Sequence, residues 1–321
     1  MSTGTLRITF SAGAFAVLLG LVAACGNKKE PPAVPPQQFG SPEEAAAALV
    51  DAAGKFDVKA LNVILGSDGA DLVESGDPVL DRNRATEFAT QAQARQRLEL
   101  DSTKTTAVIV IGEGDWPMPI PIVQRDGKWS FDPATGREEI LTRRIGQNEI
   151  DAIEVCRGFV EAQRAYALTK HDSSRVNQYA QRVISTSGKH DGLAWQAADG
   201  TWQGPVGEAV AHFIAEGYTE RFDPFHGYYF KILKGQGPAA SLGQMDFVVH
   251  GAMIGGFAMV AAPAEYFVSG VKTFIVSHEG VVYEKDFGDA TLEEFKKMER
   301  YNPDSTWTPV AEVVPSERVA S

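Results

Sequence analysis

The sequence has little cysteine and fewer basic than acidic residues. Only Cys25 and Cys156 occur in 321 residues, and 30 lysines and arginines stand against 42 aspartates and glutamates, for a formal net charge of −12. This shortage of positive charge argues against a general phosphate-binding surface, because non-specific affinity for nucleic acids comes from Lys and Arg. No nucleic-acid partner is therefore expected. Hydrophobic residues still make up 44% of the chain, which is enough to build ordinary folded cores.

The chain also lacks the short motifs that mark well-known catalytic sites. It contains no G-x-S-x-G elbow, no H-E-x-x-H pair and no phosphate-binding P-loop. The sequence therefore predicts no metal and no cofactor, and it assigns no catalytic residue. Whether the protein is an enzyme stays open at this stage, although the missing motifs favour a protein without catalytic activity.

The N-terminal residues resemble the leader of a bacterial lipoprotein. Arg7 supplies a positive charge, and the apolar run from Ala12 to Ala24 is long enough for a signal-peptide core but too short for a membrane span. The sequence Leu-Val-Ala-Ala-Cys, which ends at Cys25, resembles a lipobox, in which small residues precede the cysteine that is lipidated. We therefore predict a signal peptide over residues 1–24 and acyl chains, palmitate among them, on Cys25.

Residues 25–39 are expected to tether the folded protein to the membrane. This segment is polar and rich in proline, which favours an extended chain without a core. Two or three acyl chains on Cys25 are sufficient for stable membrane anchoring. The expected location is the periplasm-facing side of the bacterial cell envelope. Gly26 stands where an aspartate would favour the inner membrane, so the outer membrane is favoured. Cys156 then has no partner within the chain, and its position in an apolar helix pattern predicts a buried thiol.

Residues 40–145 are predicted to form a first α+β domain. Ser41 and Pro42 are typical of a helix start, with serine as the cap and proline at the first helical position. Further along, a β-branched run and a hairpin with Asp126-Gly127 at its turn predict antiparallel strands. Helices followed by such a meander are similar to the nuclear-transport-factor-2-like folds.

Residues 146–310 are predicted to form a second α+β domain, and residues 311–321 a disordered tail. Apolar residues recur at helical spacing from Glu149 to Leu168, and a short helix is expected over Asn177–Ile184. The densest apolar and aromatic stretch after the leader, Phe225 to Phe287, contains strand-like runs separated by glycine-rich turns. We expect an antiparallel sheet with helices on one face, so the predicted fold is α+β with two small domains.

Charged residues cluster where the two predicted domains meet. Arg143 and Arg144 lie between acidic residues, and Glu149 follows in the same segment. Because opposite charges flank the arginines, we expect a salt-bridge cluster between the domains. The alternative is an arginine pair that binds a carboxylate or a phosphate group.

Histidines and polar aromatic residues of the second domain form a candidate binding surface. One part is a polar loop in which an aspartate directly follows a histidine, and the other part is the start of the apolar stretch. An aspartate can orient a histidine, but no nucleophile motif accompanies the pair. The alternative for each tyrosine and tryptophan is a place in the hydrophobic core. The candidate residues are His190, Asp191, Trp195, His226, Tyr228 and Tyr229.

Several segments spread over about residues 40–310 form a recognisable series. In order, they include FDPATGREEILTRRIGQNEI, STSGKHDGLAW, FHGYYFKILKGQG, GGFAMVAAPAEYFVSGVKTFIVSHEGVVYEKDFG and NPDSTW. This series resembles an uncharacterised bacterial family, the domain of unknown function 2950. The resemblance implies an exported protein of the cell envelope, and it brings no catalytic residue with it. One difference is Ala194 in DGLAW, where we expect an aromatic residue.

These observations favour a lipoprotein without catalytic activity that binds or scaffolds a partner in the periplasm. Besides the membrane, the expected partner is an envelope protein or a glycan. A first alternative is a hydrolase of the cell wall or another glycan, in which His190 or His226 acts with acids such as Asp191 or Asp246. A second alternative, suggested by the closing strands before Phe287, is an assembly factor for a pilus or secretion machine.

Overall fold

The computed structural model of the protein describes residues 33–74, 78–208 and 224–311. The predicted signal peptide, Cys25 and the first part of the predicted tether lie outside these residues, and so does nearly all of the predicted C-terminal tail. No helix in the described ranges is both long enough and apolar enough to cross a membrane. The helices and antiparallel sheets confirm the predicted α+β class.

Helices and an antiparallel sheet enclose a first hydrophobic core. The helices are α1 (Pro42–Lys55), α2 (Val58–Leu65), α3 (Ala70–Val73) and α4 (Pro78–Ala94), with a 3-10 turn at Ser67–Gly69. The strands are β1 (Gln96–Leu100), β2 (Thr106–Ile111), β3 (Trp116–Pro117), β4 (Ile122–Arg125) and β5 (Lys128–Phe131). They are ordered β1-β2-β4-β5, and β3 also pairs with β2. The likeness of this unit to nuclear-transport-factor-2-like folds stays a prediction.

The predicted start and turn signals of this unit are present. The Ser41 hydroxyl accepts a hydrogen bond from the Glu44 backbone N–H at 3.2 Å, and the Glu44 carboxylate accepts one from the Gly40 N–H at 2.8 Å. This reciprocal arrangement resembles a capping box and fixes where α1 begins. Asp126 and Gly127 form the turn between β4 and β5 with φ angles of 51° and 74°, which an Asp-Gly pair readily adopts.

A long helix, α5 (Pro133–Tyr166), runs from the first core to the second. Its 34 residues correspond to a length of about 51 Å. Near its start Gly136 approaches Ile120 so closely that a Cβ on the glycine would lie 2.8 Å from the isoleucine side chain. Its second half buries residues such as Cys156 and Phe159 in the second core. The helix begins 16 residues earlier than predicted, because its largely polar middle has no apolar periodicity to reveal it.

The second core is organised around an antiparallel sheet. Its strands are β8 (Tyr228–Leu233), β13 (Ala258–Pro263), β14 (Lys272–Ser277), β15 (Val282–Asp286) and β16 (Thr308–Pro309), in the order β16-β15-β14-β13-β8. Shorter pairs are β6 (Trp195–Gln196) with β7 (Trp202–Gln203), β9 (Gly235–Gln236) with β10 (Met245–Asp246), and β11 (Val248–Val249) with β12 (Ala252–Met253). A 3-10 turn at Gly288–Ala290 precedes the helix α6 (Thr291–Lys297).

The antiparallel sheet has helices on both faces, whereas the sequence led us to expect them on one. The long helix α5 covers the face on which the buried Tyr228 and Phe274 lie. Successive residues of a strand point to opposite faces, so Tyr229 and Lys231 lie on the other. There the Tyr229 ring stacks on Phe295 of α6 at 6.3 Å, and the Lys231 ammonium donates to the Phe295 carbonyl at 2.6 Å. The short α6 thus closes the second face.

The thiol of Cys156 is completely buried, as its apolar surroundings in the sequence predicted. Burial raises the pKa of this thiol to about 12, against a small opposing effect of the Arg157 charge. The group is therefore protonated at neutral pH, which makes it a packed core residue and a poor nucleophile.

Candidate functional site

An open cleft of about 710 Å³ lies beside the C-terminal end of α5. Its walls are the irregular segment that follows the helix, the loop that carries Lys189, and the turn between β11 and β12. A volume of this size is within the range of small-molecule binding sites. The residues that line it include Tyr166, His171, Asp172, Arg175, Lys189 and His250.

The wall that follows α5 is held in place by amide side chains. The prediction of a helix over Asn177–Ile184 was wrong, since this segment is irregular. The fully buried Gln163 donates from its amide to the Ala180 carbonyl and accepts from the Ala180 N–H, both at 2.8 Å. Asn177 donates to the carbonyls of Ala167 and Leu168, at 2.9 and 3.1 Å, and so caps the end of the helix. The backbone of the segment therefore bonds to α5 through Gln163, to Met253 and to residues 193–194, and not within a helix of its own.

Sharp turns shape the cleft. Asp172 and His250 have positive φ angles of 51° and 49°, and the neighbouring Gly188 and Gly251 have φ angles of 73° and 83°. Aspartate and histidine enter this left-handed region more readily than most residues, but the conformation still has to be held by its surroundings. Residues held in this way are concentrated at ligand sites, which supports the cleft as the candidate site.

His190 and Trp195, two of the predicted site residues, support a wall of the cleft. The Asp172 carboxylate oxygens lie 3.1 and 3.0 Å from the His190 backbone nitrogen, whose N–H donates to them, and His190 Nδ1 is 3.3 Å from the same carboxylate. The His190 ring meets Trp195 edge to face at 4.7 Å, and its carbonyl accepts from the Tyr166 hydroxyl at 2.5 Å. His190 therefore connects α5, the Asp172 turn and the strand β6.

Tyr166 and His171 form a stacked pair at the cleft, with ring centroids 3.8 Å apart and planes inclined by 14°. His171 Nε2 lies 2.9 Å from the Tyr166 carbonyl oxygen. Because a carbonyl only accepts, this nitrogen carries the hydrogen, and the neutral ring keeps Nδ1 as an acceptor. Desolvation, together with the charges of Asp172 and Asp191, raises the pKa of Tyr166 to about 12, so its hydroxyl stays a neutral donor.

Asp191 lines the cleft, but its carboxylate is engaged with the preceding loop. It accepts from the backbone N–H of Thr186 at 2.7 Å and from the hydroxyl of the same residue at 2.9 Å, and the Arg182 guanidinium lies 3.8 Å away. Desolvation raises the pKa of Asp191, but the Thr186 hydrogen bonds and the Arg182 charge outweigh it, so the pKa lies below its ordinary value. The group is an ionised anchor for the loop.

Comparison with models of protein families identifies the family of the chain. A family model described as "Protein of unknown function (DUF2950)" matches residues 36–310, which is most of the sequence. The chain belongs to the DUF2950 family. The resemblance inferred from the sequence motifs is thereby confirmed, while neither the curated proteins nor the solved structures contain a match.

Two further observations on the DUF2950 chain concern metal ligands and the position of Ala194. Among the residues that the structure describes, no group of three or more histidine, cysteine, aspartate or glutamate side chains is arranged to hold a metal ion. Ala194, which stands where we expected an aromatic residue, is completely buried. Its side chain is part of the packed interior and is not among the residues that line the cleft.

His226, the second predicted histidine, lies far from the cleft of the DUF2950 chain. Its Nδ1 is 2.5 Å from the Asp151 carboxylate, and its ring stacks on Phe225 at 4.2 Å. Asp151 precedes Tyr166 by 15 residues on α5, or about 22 Å along the helix axis. Since Tyr166 contacts His190, the two histidines are held at different ends of this helical segment. The structure does not bring His190 and His226 into one cleft.

Tyr228 does not belong to a binding surface, and its inclusion was wrong because the residue is fully buried. Its hydroxyl donates to the Lys272 carbonyl at 2.9 Å, and desolvation raises its pKa far above the ordinary value. Tyr229 is half-buried and packs on Phe295. Tyr228 therefore takes the alternative that the sequence left open, a place in the core, whereas Tyr229 lies half-buried between the sheet and α6.

The predicted charge cluster is divided between the two cores. Arg143 donates to Glu139 at 2.8 Å and to a carbonyl of β3 at 2.7 Å, so it ties α5 to the first unit. Glu149 accepts from two backbone N–H groups at the start of β14, at 2.9 and 3.0 Å, and ties α5 to the second. Arg144 is exposed, and no hydrogen bond, ion pair or ring contact joins its side chain to another described residue.

Sequence reasoning missed the contact that fixes the start of α5. Arg137 donates to both carboxylate oxygens of Asp71, at 2.8 and 3.0 Å, and also contacts the Asp68 carbonyl. These interactions, the Asp71 hydrogen bonds first among them, raise the pKa of Arg137 against the opposing effect of desolvation. The partners are 66 residues apart in the chain, so no local spacing could indicate the pair.

Proposed function

We propose that this protein is an envelope lipoprotein that binds a glycan fragment in the cleft beside Tyr166 without transforming it. The supporting observation is that Asp172 and Asp191, the acids of the cleft, are occupied by hydrogen bonds from the protein's own backbone. A general acid or base must be free to reach a proton of the substrate. Among the described residues, the cleft thus offers groups for recognition, whereas its acids serve to hold its walls.

The lining of the cleft suits a ligand rich in hydroxyl groups. Ser173 presents an exposed hydroxyl, Gln178 an amide, and His171 an imidazole whose Nδ1 is free of hydrogen in the neutral ring. Such groups can donate to and accept from sugar hydroxyls. The cleft is also open, so a ligand longer than one or two rings can extend into solvent.

The proposal includes lipidation of Cys25 after removal of residues 1–24, with the protein facing the periplasm and the outer membrane favoured over the inner. Support comes from the lipobox-like sequence and the polar, proline-rich segment that follows it. In that segment the backbone from Val34 onward is already bound to the first unit, since Ser67 donates to the Val34 carbonyl at 2.9 Å. The part of the proposed tether that precedes Val34 is residues 25–33, for which an extended chain would span about 28 Å.

Binding is tested with purified peptidoglycan sacculi and the soluble fragments released from them, using the Cys25→Ser protein without its leader. We expect the protein to sediment with the sacculi, and Ser173→Trp, which places a large ring in the cleft, to weaken binding. Ser102→Trp, on an exposed turn of the first unit, is the matched control and should bind like the unchanged protein. Equal binding by the two variants, or no binding to sacculi or fragments, would contradict the proposal.

Anchoring is tested separately. Radioactive palmitate is expected to label the full chain but not the Cys25→Ser variant, and the variant should leave the membrane fraction. A full chain that takes up no palmitate, or a variant that stays bound to membranes, would refute the lipoprotein part and leave the cleft unaffected.

A further inference from the structure

We infer that the ligand of the cleft carries an anionic group, a carboxylate or a phosphate, and that Arg175 and Lys189 bind this group together. The inference rests on the proposed binding function and adds the charge of the ligand to it. It depends on which charged side chains around the cleft already have partners and which do not.

Arg175 and Lys189 are cations of the cleft whose side chains have no partner among the described residues. They line the cleft from two different segments, and both are exposed. Within the part of the chain that the structure describes, no hydrogen bond, ion pair or ring contact joins either side chain to another residue. Some other cations of this acidic chain are paired, such as Arg137 with Asp71 and Arg300 with Asp246, while Arg144 has no such partner among the residues described. The two cations of the cleft are therefore available to a ligand.

The acids of the same cleft are engaged elsewhere. The Asp172 carboxylate accepts from the His190 N–H and faces His190 Nδ1, and the Asp191 carboxylate accepts twice from Thr186. Arg182, 3.8 Å from Asp191, offsets part of that negative charge. The two carboxylates are therefore engaged by donors of the cleft walls, whereas Arg175 and Lys189 line the same cleft without such a partner among the described residues.

The two cations have complementary geometries for an anion. A guanidinium presents parallel N–H groups that match two oxygens of a carboxylate or phosphate, and an ammonium supplies a compact charge that adapts to a third position. His171 Nδ1 can accept from a neighbouring hydroxyl, since its Nε2 donates to the Tyr166 carbonyl. The site therefore fits a sugar ring that bears an acidic substituent. Carboxylate and phosphate share this chemistry, and the choice of probes separates them.

The test compares three sugars that differ in charge: N-acetylglucosamine, N-acetylmuramic acid with its carboxylate, and N-acetylglucosamine 6-phosphate. Binding to the full folded body, expressed with Cys25→Ser, is measured by calorimetry at low and high salt. We expect at least one acidic sugar to bind about tenfold or more tightly than the neutral one, and to lose affinity as salt rises. Preference for the carboxylate or the phosphate identifies the source of the anion.

Variants separate this inference from the proposed function. Arg175→Gln with Lys189→Gln should reduce the affinity for the acidic sugar to that for the neutral one. Arg157→Gln with Lys128→Gln removes the same charge from exposed positions outside the cleft and should leave the affinity unchanged. An equal loss of affinity for the acidic sugar in both double variants would overturn the anion site. Equal binding of the neutral and acidic sugars, if Ser173→Trp still abolishes it, would do the same. Either result would leave glycan binding intact. Failure of all three sugars and of sacculi would overturn both.

Discussion

Gln163 should be the side chain on which the cleft wall depends most. Its amide makes both hydrogen bonds to the backbone of Ala180, each at 2.8 Å, and it is completely buried. We consider the change Gln163→Met, because methionine keeps most of the volume of glutamine and removes both hydrogen-bonding groups. The same change at Gln147, which is exposed on the same helix and donates to Asp151, is the matched control.

The expected loss in the free energy of unfolding follows from the burial of Ala180, which is 1% exposed. In Gln163→Met the N–H and the carbonyl of Ala180 lose the side-chain partner that they have among the described residues, and they face the core. A buried polar group left without a partner costs about 1 to 3 kcal/mol, so the free energy of unfolding should fall by about 2 to 6 kcal/mol. The exposed Gln147 can be replaced at a cost within about 0.5 kcal/mol.

Two assays distinguish local from global effects. Urea denaturation gives the loss of stability, and amide hydrogen exchange over residues 177–184 reports opening of the wall itself. In Gln163→Met these amides should exchange faster than in Gln147→Met, and affinity for the cleft ligand should fall with them. If the two variants show the same stability and the same exchange, the two hydrogen bonds do not hold this segment, and the account given for the irregular wall is refuted.

Three other side chains lead to separate expectations. Glu149→Ala removes the acceptor of two backbone N–H groups and should lower the free energy of unfolding by about 2 kcal/mol in urea denaturation; Glu149→Gln, which keeps an acceptor oxygen, should cost less. The pKa of Asp191 is lower in the folded protein than in the unfolded chain, so its ionised form stabilises the loop. This stabilisation is complete at pH values above the unfolded pKa and is lost as the pH falls through the folded pKa. Hydrogen exchange of the Thr186 amide should therefore accelerate below about pH 4 in the unchanged protein. In Asp191→Asn, which has no carboxylate at this position, the exchange should not follow the same pH dependence. In the folded Cys25→Ser protein, Cys156 should resist a thiol reagent that modifies it rapidly after denaturation, and prompt reaction of the folded protein would be inconsistent with its burial.

Local signals in the sequence were sufficient for the fold class and for element starts that depend on neighbouring residues. Ser41 caps α1, Asp126-Gly127 turns a hairpin, and Cys156 is buried, each as its immediate surroundings predicted. The early start of α5 was missed, since a helix that crosses between two cores has no continuous apolar stripe. The expected helix over Asn177–Ile184 failed for the opposite reason. Its apolar residues have helix-like spacing, but the backbone of that segment bonds to α5 and to β12.

The role of the candidate site residues stays a prediction, but the structure gives their positions. Asp191 lines the cleft and His190 supports one of its walls, because the polar, glycine-containing loop around them is a local feature. Tyr228 was misplaced because strand alternation identifies two faces but cannot reveal that both are covered. The separation of His190 from His226 could not be read from the sequence either, because it depends on their contacts at different positions along α5. The positions that were not predicted all depend on contacts with residues that are distant in the chain.

The net charge of −12 and the proposed anion site are compatible, because they describe different properties. A nucleic acid presents many phosphates and needs a surface on which basic residues are in excess, so the composition argues against that class of partner. A single carboxylate or phosphate needs only two cations that have no acid of their own. Composition counts charges, whereas binding depends on which charges remain unpaired after folding. At this cleft Asp172 and Asp191 are held by backbone donors, while Arg175 and Lys189 have no partner among the described residues, so the acidic composition does not conflict with the proposed acidic ligand.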